Sequence, residues 1–299
     1  MFEQFEPFSI TTQQQPEIVI SGVRSNNAAS GLPPLLLLHG YPQTIHIWHR
    51  VAPQLTSRYQ VVIPYLRGYG TSSKPVEVDA YAKSVMAKDF IEVMNQLGFD
   101  DFYICAHDRG ARVAHKLCVD HPKRVRKAML LDICPTLAMF EATNMGIAKS
   151  YFHWFLMLQK EPLPEMMISA NPRKFAELFM GGRHAEGFKV FDERCFEEYV
   201  KLLEDPAAVH GMCQDYRASA TLDMEEQRDD LKNGRLIRCP LFVIWGKESA
   251  IDKHFNALEE WRAVTDKGFP VEGYSVDSAH YVPECASDAV VAEALRFFV

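Results

Sequence analysis

A single aspartate stands between small residues, directly after an apolar run that is typical of a β-strand. The stretch AHDRGA places Asp108 two residues after Ala106 and two residues before Gly110. This spacing is typical of the nucleophile elbow, a strained strand-to-helix turn that exposes a reactive side chain. An aspartate at such a turn attacks carbon and forms an ester, which water must then hydrolyse. The ordinary alternative is an aspartate that caps the following helix.

Two other segments could supply the groups that such a nucleophile needs. His39 and Gly40 end an apolar run, so the backbone N–H of Tyr41 is a candidate oxyanion donor, with that of Arg109 as its partner. His280 lies in a loop near the C-terminus, after the strand-like stretch 270–276. A histidine that follows both the nucleophile and the acid in chain order is the candidate general base.

The acid that orients this base has two candidates. Asp132 ends the run KAMLLD, whereas Asp252 comes a few residues after VIWG, in the stretch WGKESAID. The position of Asp132 directly at a strand end favours it as the acid. Asp252 is also explained as a helix cap before KHFNALEEW.

The elements that position these residues are short apolar runs separated by segments with helical spacing. Strands that alternate with helices predict an α/β fold with a mostly parallel sheet, helices on both faces and ligands at the carboxyl ends of the strands. The predicted buried strands are 34–40, 59–65, 101–107, 127–133 and 240–246, and the clearest predicted helices are 81–97 and 111–121.

The alternation stops between about residues 135 and 230, where the patterns are helical and no strand-like run occurs. An all-helical insertion between two sheet strands predicts a cap over the strand ends, which could exclude water and supply specificity. The predicted organisation is a first part of the core at 1–136, a helical cap at 137–225 and a second part of the core at 226–299.

Composition and charge narrow the classes of function. The chain has 299 residues, 47% of them hydrophobic, and its net charge of -7 with no long basic run argues against a nucleic-acid partner. Seven cysteines without metal-like spacing predict buried free thiols, no metal site and a cytoplasmic location. The apolar runs are too short to span a membrane. No organic cofactor is expected, and a homodimer is compatible with these features.

Several motifs together resemble the fluoroacetate and haloacetate dehalogenases of the α/β-hydrolase fold. They are HDRGAR, HGYPQT, LDICPT, FHWF, EDPAAVHGMCQDYRA and HYVPE, and the resemblance runs from about residue 31 to the C-terminus. HDRGAR is the most specific of them, since epoxide hydrolases and haloalkane dehalogenases usually have a tryptophan where this chain has Arg109. The resemblance implies a small-molecule haloacid substrate that is hydrolysed to a 2-hydroxy acid and halide.

The resemblance also implies a role for each matching residue. Asp108 matches the nucleophile, His280 the base and Asp132 the orienting acid. Arg109 and Arg112 match the arginines that bind the substrate carboxylate. Their spacing puts both on one face at a helix start, where two guanidinium groups can fix a carboxylate. Surface salt bridges are the alternative use for such a pair.

His153, Trp154 and Tyr216 match the residues that hold the departing halide. Imidazole, indole and phenol groups are neutral donors, which suits an anion that leaves poorly unless it is hydrogen-bonded. The alternative for the stretch YFHWFLM is an aromatic stripe that packs the cap on the core. The chain departs from the family at Tyr65, where an aspartate is common, and at Ala279, where a glycine is common.

Two other functions stay open on the sequence. An epoxide hydrolase would use the same aspartyl ester and would need two acidic donors, for which Tyr216 and Tyr151 are candidates. Arg109 and Arg112 argue against it, because an epoxide has no carboxylate to bind. A non-catalytic binder of small carboxylic acids is the second alternative, and the matched nucleophile, acid and base argue against it.

Overall fold

A computed structural model describes residues 1–27 and 31–299, and its centre is an eight-stranded sheet in the order β1-β2-β4-β3-β5-β6-β7-β8. The strands are β1 (Phe5–Gln14), β2 (Glu17–Ser25), β3 (Pro34–Leu38), β4 (Gln60–Pro64), β5 (Phe102–His107), β6 (Val125–Leu131), β7 (Leu241–Gly246) and β8 (Val271–Val276). Strands β3 to β8 pair in parallel, and β1 and β2 form an antiparallel hairpin at one edge. The predicted α/β fold class is confirmed.

Fifteen α-helices accompany this sheet in the described residues. They are α1 (Ala52–Leu55), α2 (Lys83–Gln96), α3 (Arg109–Asp120), α4 (Thr136–Glu141), α5 (Met145–Ser150), α6 (Phe152–Met157), α7 (Leu163–Ser169), α8 (Pro172–Gly181), α9 (Glu193–Glu204), α10 (Pro206–Ala218), α11 (Met224–Lys232), α12 (Ala250–His254), α13 (Ala257–Ala263), α14 (Val282–Cys285) and α15 (Ser287–Phe297). Short 3-10 turns occupy Ile45–Trp48, Asp79–Tyr81 and Gly187–Val190, and a π-helical turn at Ser219–Asp223 joins α10 to α11.

The sheet is buried on both faces, and this explains why its central strands are continuously apolar. All five residues of β3 are buried. Leu36 and Leu38 belong to the core that includes α2 and α3, whereas Leu35 and Leu37 belong to the core on the opposite face, with α1 and α15. Because successive side chains of a strand point to opposite faces, one apolar run supplies both cores.

The register of the parallel strands brings the predicted site residues to one edge of the sheet. Leu38 at the end of β3 pairs with Ala106 of β5, and His107 at the end of β5 pairs with Leu131 at the end of β6. Leu131 pairs in turn with Ile244 of β7. The residues that follow these strands therefore lie side by side at the carboxyl edge, where ligands bind in sheets of this kind.

The chain between β6 and β7 is helical, from α4 to α11, and adds no strand to the sheet in this fully described span. Its helices contact one another and reach α2 and α3 of the core. The predicted domain boundaries at 136/137 and 225/226 fall within α4 and α11 and stay predictions. All seven cysteines are free and six are buried, as predicted. No helix in the described part of the chain has the length and apolarity that crossing a bilayer requires.

Candidate active site

Asp108 lies on a tight turn between β5 and α3, with φ of 48° and ψ of −114°. A non-glycine residue at positive φ is strained, and at this turn the strained backbone holds the buried carboxylate at the strand end. A Cβ on Gly40 would lie 2.5 Å from the Asp108 Cβ, and a Cβ on Gly110 would lie 2.4 Å from the His39 carbonyl oxygen. Gly40 and Gly110 therefore have to be glycines, because a side chain at either position would collide with the neighbouring chain segment. The Asp108 side chain makes no capping bond to α3, so the helix-cap alternative does not hold.

The candidate base and acid lie against this carboxylate. His280 Nδ1 hydrogen-bonds Asp132 Oδ2 at 2.7 Å, and its Nε2 is 3.8 Å from Asp108 Oδ2. The backbone N–H of Gly246 donates to the other oxygen of Asp132 at 2.9 Å. The ring of His107 donates from Nε2 to the carbonyl oxygen of His280 at 2.8 Å. These bonds set the imidazole with one nitrogen on the acid and the other directed at the nucleophile.

One oxygen of Asp108 is already held by a backbone donor. The N–H of Tyr41 donates to Oδ1 at 2.9 Å, as expected for an oxyanion donor. The N–H of Arg109 opens α3, where no preceding helical carbonyl can accept it. Burial alone would raise the pKa of Asp108, but the neighbouring basic groups, His280 and His107 first and then Arg109 and Arg112, outweigh burial and lower the pKa below its usual value. Asp108 is therefore an anion with Oδ2 free.

The side chain of Arg109 is held by a buried carboxylate. Its Nε and Nη2 donate to the two oxygens of Asp215 at 2.8 Å each, and Nη2 also donates to Ser219 Oγ at 2.5 Å. The guanidinium lies 4.2 Å from the ring centre of Tyr216. Burial by itself would lower the pKa of Arg109, but Asp215 outweighs it and raises the pKa. Only Nη1 of Arg109 has no hydrogen-bond partner among the described residues.

Arg112, by contrast, is buried without a carboxylate partner in the described chain. Nη1 donates to Thr136 Oγ1 at 2.6 Å, Nη2 contacts Met139 Sδ at 3.4 Å, and Nε has no partner. The guanidinium lies 4.7 Å from the ring centre of Trp154. Burial, and after it the charge of Arg109, lowers the pKa of Arg112 to about 10. An unneutralised buried cation is costly, so this position favours an anion.

The three predicted halide-binding residues lie close together, and each has a buried polar atom without a hydrogen-bond partner. His153 and Trp154 lie on α6, and Tyr216 lies on α10. His153 Nδ1, Trp154 Nε1 and the Tyr216 hydroxyl are all buried without a partner. The ring centre of Tyr216 is 5.7 Å from that of His153 and 6.4 Å from that of Trp154. Burial, followed by Asp108, raises the pKa of Tyr216, and burial holds the pKa of His153 well below its usual value. All three are therefore neutral at neutral pH.

The second candidate acid does not join this site. Asp252 lies within α12, where its Oδ1 accepts from Trp245 Nε1 at 2.7 Å. Ser249, not Asp252, caps α12. Of the two departures from the family pattern, Tyr65 packs on His39 with ring centres 6.3 Å apart, and Ala279 lines a cavity beside the base.

Sequence reasoning missed the residues that support the site from the inserted helices. Asp215, Lys83 and Asp223 form a buried ion network with Arg109. Asp215 precedes Tyr216 in the motif CQDYRA, and this adjacency was the only signal in the chain. Arg183 was also missed, because the stretch MGGRHAEG has the composition of an ordinary loop.

The chain is similar to known proteins in both sequence and fold. The alpha/beta hydrolase fold family matches residues 33–272. A fluoroacetate dehalogenase of Burkholderia sp is 41% identical over 86% of this chain and 88% of its own length. A soluble epoxide hydrolase of Corynebacterium sp. (strain C12) is 30% identical over 94% of this chain and 96% of its own. A crystal structure from Nostoc sp PCC 7120, assigned to the alpha/beta hydrolases, superposes with a TM-score of 0.93 at 40% identity, covering 100% of this chain and 99% of that one.

Proposed function

The chain belongs to the α/β-hydrolase family and, within it, to the haloacetate dehalogenase-like proteins, and we propose that it hydrolyses the carbon–halogen bond of haloacetates. The observation that carries this proposal is Arg112. Its guanidinium is buried and unneutralised, and it lies one helical turn from the elbow that carries Asp108. A haloacetate places a carboxylate next to the carbon that is attacked, so binding that anion aims the carbon at the nucleophile.

In the first step, Asp108 Oδ2 attacks the carbon that bears the halogen. Tyr41 holds Oδ1 at 2.9 Å, and the 3.8 Å from His280 Nε2 is too long for a hydrogen bond to Oδ2, so Oδ2 keeps its lone pairs. The carbon–halogen bond breaks as the carbon–oxygen bond forms, and the halide takes the electron pair. The unsatisfied N–H and O–H groups of Trp154 and Tyr216 are available to bind it.

In the second step, water hydrolyses the ester. His280 Nε2 takes a proton from the water, and Asp132 stabilises the imidazolium through its 2.7 Å bond to Nδ1. The hydroxide adds to the carboxyl carbon of Asp108, and the negative charge develops on Oδ1. The N–H of Tyr41, which already donates to Oδ1, stabilises that oxyanion, and the N–H of Arg109 is the second donor that we propose. The bond between that carbon and Oδ2 then breaks, so the 2-hydroxy acid leaves as an alkoxide that carries Oδ2 and takes the proton back from His280. The Asp108 carboxylate is regenerated with one oxygen from water, and the net reaction consumes one water and yields halide and a proton.

A second candidate is epoxide hydrolysis through the same ester, and one observation favours it. The hydroxyls of Tyr151 and Tyr216 are both buried without partners, and two such phenols could protonate an opening epoxide. The Corynebacterium relative also bears that name. The uncompensated charge of Arg112 argues against epoxide hydrolysis, because a neutral epoxide leaves that cation unpaired.

The experiment that separates the two functions compares three substrates. We expect halide release from chloroacetate and fluoroacetate, and little or no opening of a small epoxide under the same conditions. Faster turnover of the epoxide would reverse the assignment.

We also propose a cytoplasmic location, with which the free cysteines agree. Fractionation of cells that express the chain would test this location.

A further inference from the structure

A cavity of ≈540 Å³ lies between the inserted helices and the loop after β7, and we refer to it as the vestibule. Phe152 and Leu178 on its wall are more than half exposed, so it opens to solvent. His280 forms part of its wall, whereas Asp108 and Arg112 do not. The vestibule therefore reaches the catalytic groups at the base, and the nucleophile lies behind it.

The vestibule differs in charge from the rest of the molecule. The whole chain carries a net charge of -7. The wall of the vestibule contains three cationic side chains, Lys149, Arg183 and Lys253, and one carboxylate, Glu248. A concave wall with an excess of one charge raises the local concentration of ions of the opposite charge. The route to the site is thus positive on a protein that is otherwise acidic.

Arg183 is the cation of the vestibule that is fixed in place by packing. Its guanidinium lies 4.8 Å from the ring centre of Phe179 and 5.9 Å from that of Tyr281. None of the described carboxylates forms a salt bridge with it, and its side chain is half-buried. Stacking on aromatic faces orients a guanidinium without neutralising its charge, so its edge remains free for an anion.

Phe179 packs both on Arg183 and on residues of the candidate active site. The same ring that packs under Arg183 lies 4.8 Å from the ring centre of His153 and 5.6 Å from that of Tyr41. After burial, the charge of Arg183 is the largest influence that lowers the pKa of His153. Arg183 therefore lies between the vestibule and His153, one of the three predicted halide-binding residues.

We propose that Arg183 is a steering site for small carboxylates, which receives the substrate anion from solvent and passes it inward to Arg112. That the anion is a haloacetate rests on the proposed function, whereas binding of a small carboxylate does not. Arg183 is only partly buried and keeps contact with solvent, which screens an ion pair there, so the carboxylate is not trapped at Arg183. The buried and uncompensated Arg112 binds it more tightly, which gives the transfer its direction.

The test measures how fast acetate, an unreactive carboxylate of the same size class, binds to the intact protein. Stopped-flow tryptophan fluorescence can follow it, since Trp154 lies beside Arg112. We expect Arg183→Met, which keeps the apolar packing, to lower the association rate constant about fivefold at low ionic strength. Arg183→Lys keeps the charge and should recover most of that rate. Added salt should reduce the difference, because it screens the charge.

The matched control is Arg58→Gln, which removes one positive charge from an exposed residue. Arg58 lies just before β4, at the amino-terminal end of that strand and therefore away from the carboxyl edge that carries the site. It should leave the association rate unchanged. Equal rates for the wild type and Arg183→Met, or no acetate binding at all, would overturn the steering site. An equal loss in Arg183→Met and Arg183→Lys would also overturn it, since packing would then be the cause. A charge-dependent effect on acetate in a protein that releases no halide would refute the proposed function and leave the steering site standing.

Discussion

The two walls of the active site differ in how many of their polar groups are satisfied. On the sheet wall, Asp132 and His280 are bonded to each other, and Asp108 accepts from a backbone N–H. On the wall formed by the inserted helices, Trp154 and Tyr216 keep buried donors without partners. Buried polar groups are nearly always paired, so unpaired donors in one cluster indicate a ligand of the complementary kind. On the sheet wall the nucleophile, the acid and the base each have a protein partner, whereas these donors of the helical wall have none without a ligand.

This difference assigns separate tasks to the two walls. In the mechanism that we propose, the sheet wall forms and hydrolyses the ester on any carbon that reaches Asp108. In the same mechanism, the helical wall and Arg112 decide which carbon reaches Asp108 and which group leaves. Substitutions on the sheet wall should therefore affect all substrates alike, whereas those on the helical wall should discriminate between them.

The largest effect is expected for Asp108→Asn, which removes the nucleophile from the sheet wall. A neutral amide attacks carbon poorly, and the side chain keeps its shape. We expect kcat for chloroacetate to fall by about 10⁴-fold or more, with an unchanged thermal unfolding midpoint. A halide-release assay beside a melting curve checks both. Substantial residual turnover would show that water attacks the substrate directly.

Arg112→Lys should separate charged from neutral substrates. Lysine lacks the planar fork, and burial lowers the pKa of a lysine, so part of its charge would be lost as well. We expect kcat/KM for chloroacetate to fall at least about tenfold, or roughly 1.4 kcal/mol of transition-state stabilisation. The loss should be smaller for chloroacetamide, if the protein turns it over. Arg126→Lys, at a surface ion pair with Asp101, is the matched control. Equal losses for both substrates would assign Arg112 to structure.

Trp154→Phe and Tyr216→Phe should separate one halogen from another. Each removes a single donor from the helical wall, and a hydrogen bond to a charged group contributes about 1.5–3 kcal/mol. We expect single-turnover rates to fall about tenfold or more for fluoroacetate and less for bromoacetate, since fluoride depends most on hydrogen bonds. Tyr274→Phe, at an exposed tyrosine on β8, serves as the control. A uniform loss across the halides would point to packing.

The smallest effect is expected for Arg109→Lys. Asp215 already neutralises this guanidinium, and only its Nη1 is left for a substrate. The backbone N–H at the oxyanion position is retained in the variant. We expect kcat/KM for chloroacetate to fall only a few-fold, clearly less than in Arg112→Lys. A larger loss than in Arg112→Lys would make Arg109 the main carboxylate ligand and would weaken the contrast between the two arginines.

The sheet was predictable because its signals are local. Continuous apolar runs gave the positions of β3 to β7, and the small residues around Asp108 gave the elbow. The hairpin of β1 and β2 was not predicted. Its edge strand, β1, is largely exposed, and its apolar residues are interspersed with polar ones, so the sequence has no continuous apolar run there. Local signals were sufficient wherever both faces of an element are buried.

The supporting residues of the helical wall were not predictable for the opposite reason. Asp215 acts through Arg109, which lies 106 positions earlier in the chain. Arg183 becomes significant only through its packing on Phe179 and Tyr281. Neither pairing leaves a periodic pattern in the sequence, because both depend on how the inserted helices fold over the sheet.

The most direct test of the aspartyl-ester mechanism is peptide mass spectrometry of His280→Asn after incubation with chloroacetate. Displacement needs only Asp108, whereas hydrolysis needs the base, so the ester should accumulate once His280 is gone. We expect a carboxymethyl ester on the peptide that contains Asp108, in amounts matched by released chloride, and none in Asp108→Asn/His280→Asn. An unmodified Asp108 peptide alongside released chloride, or an adduct on another residue, would contradict it.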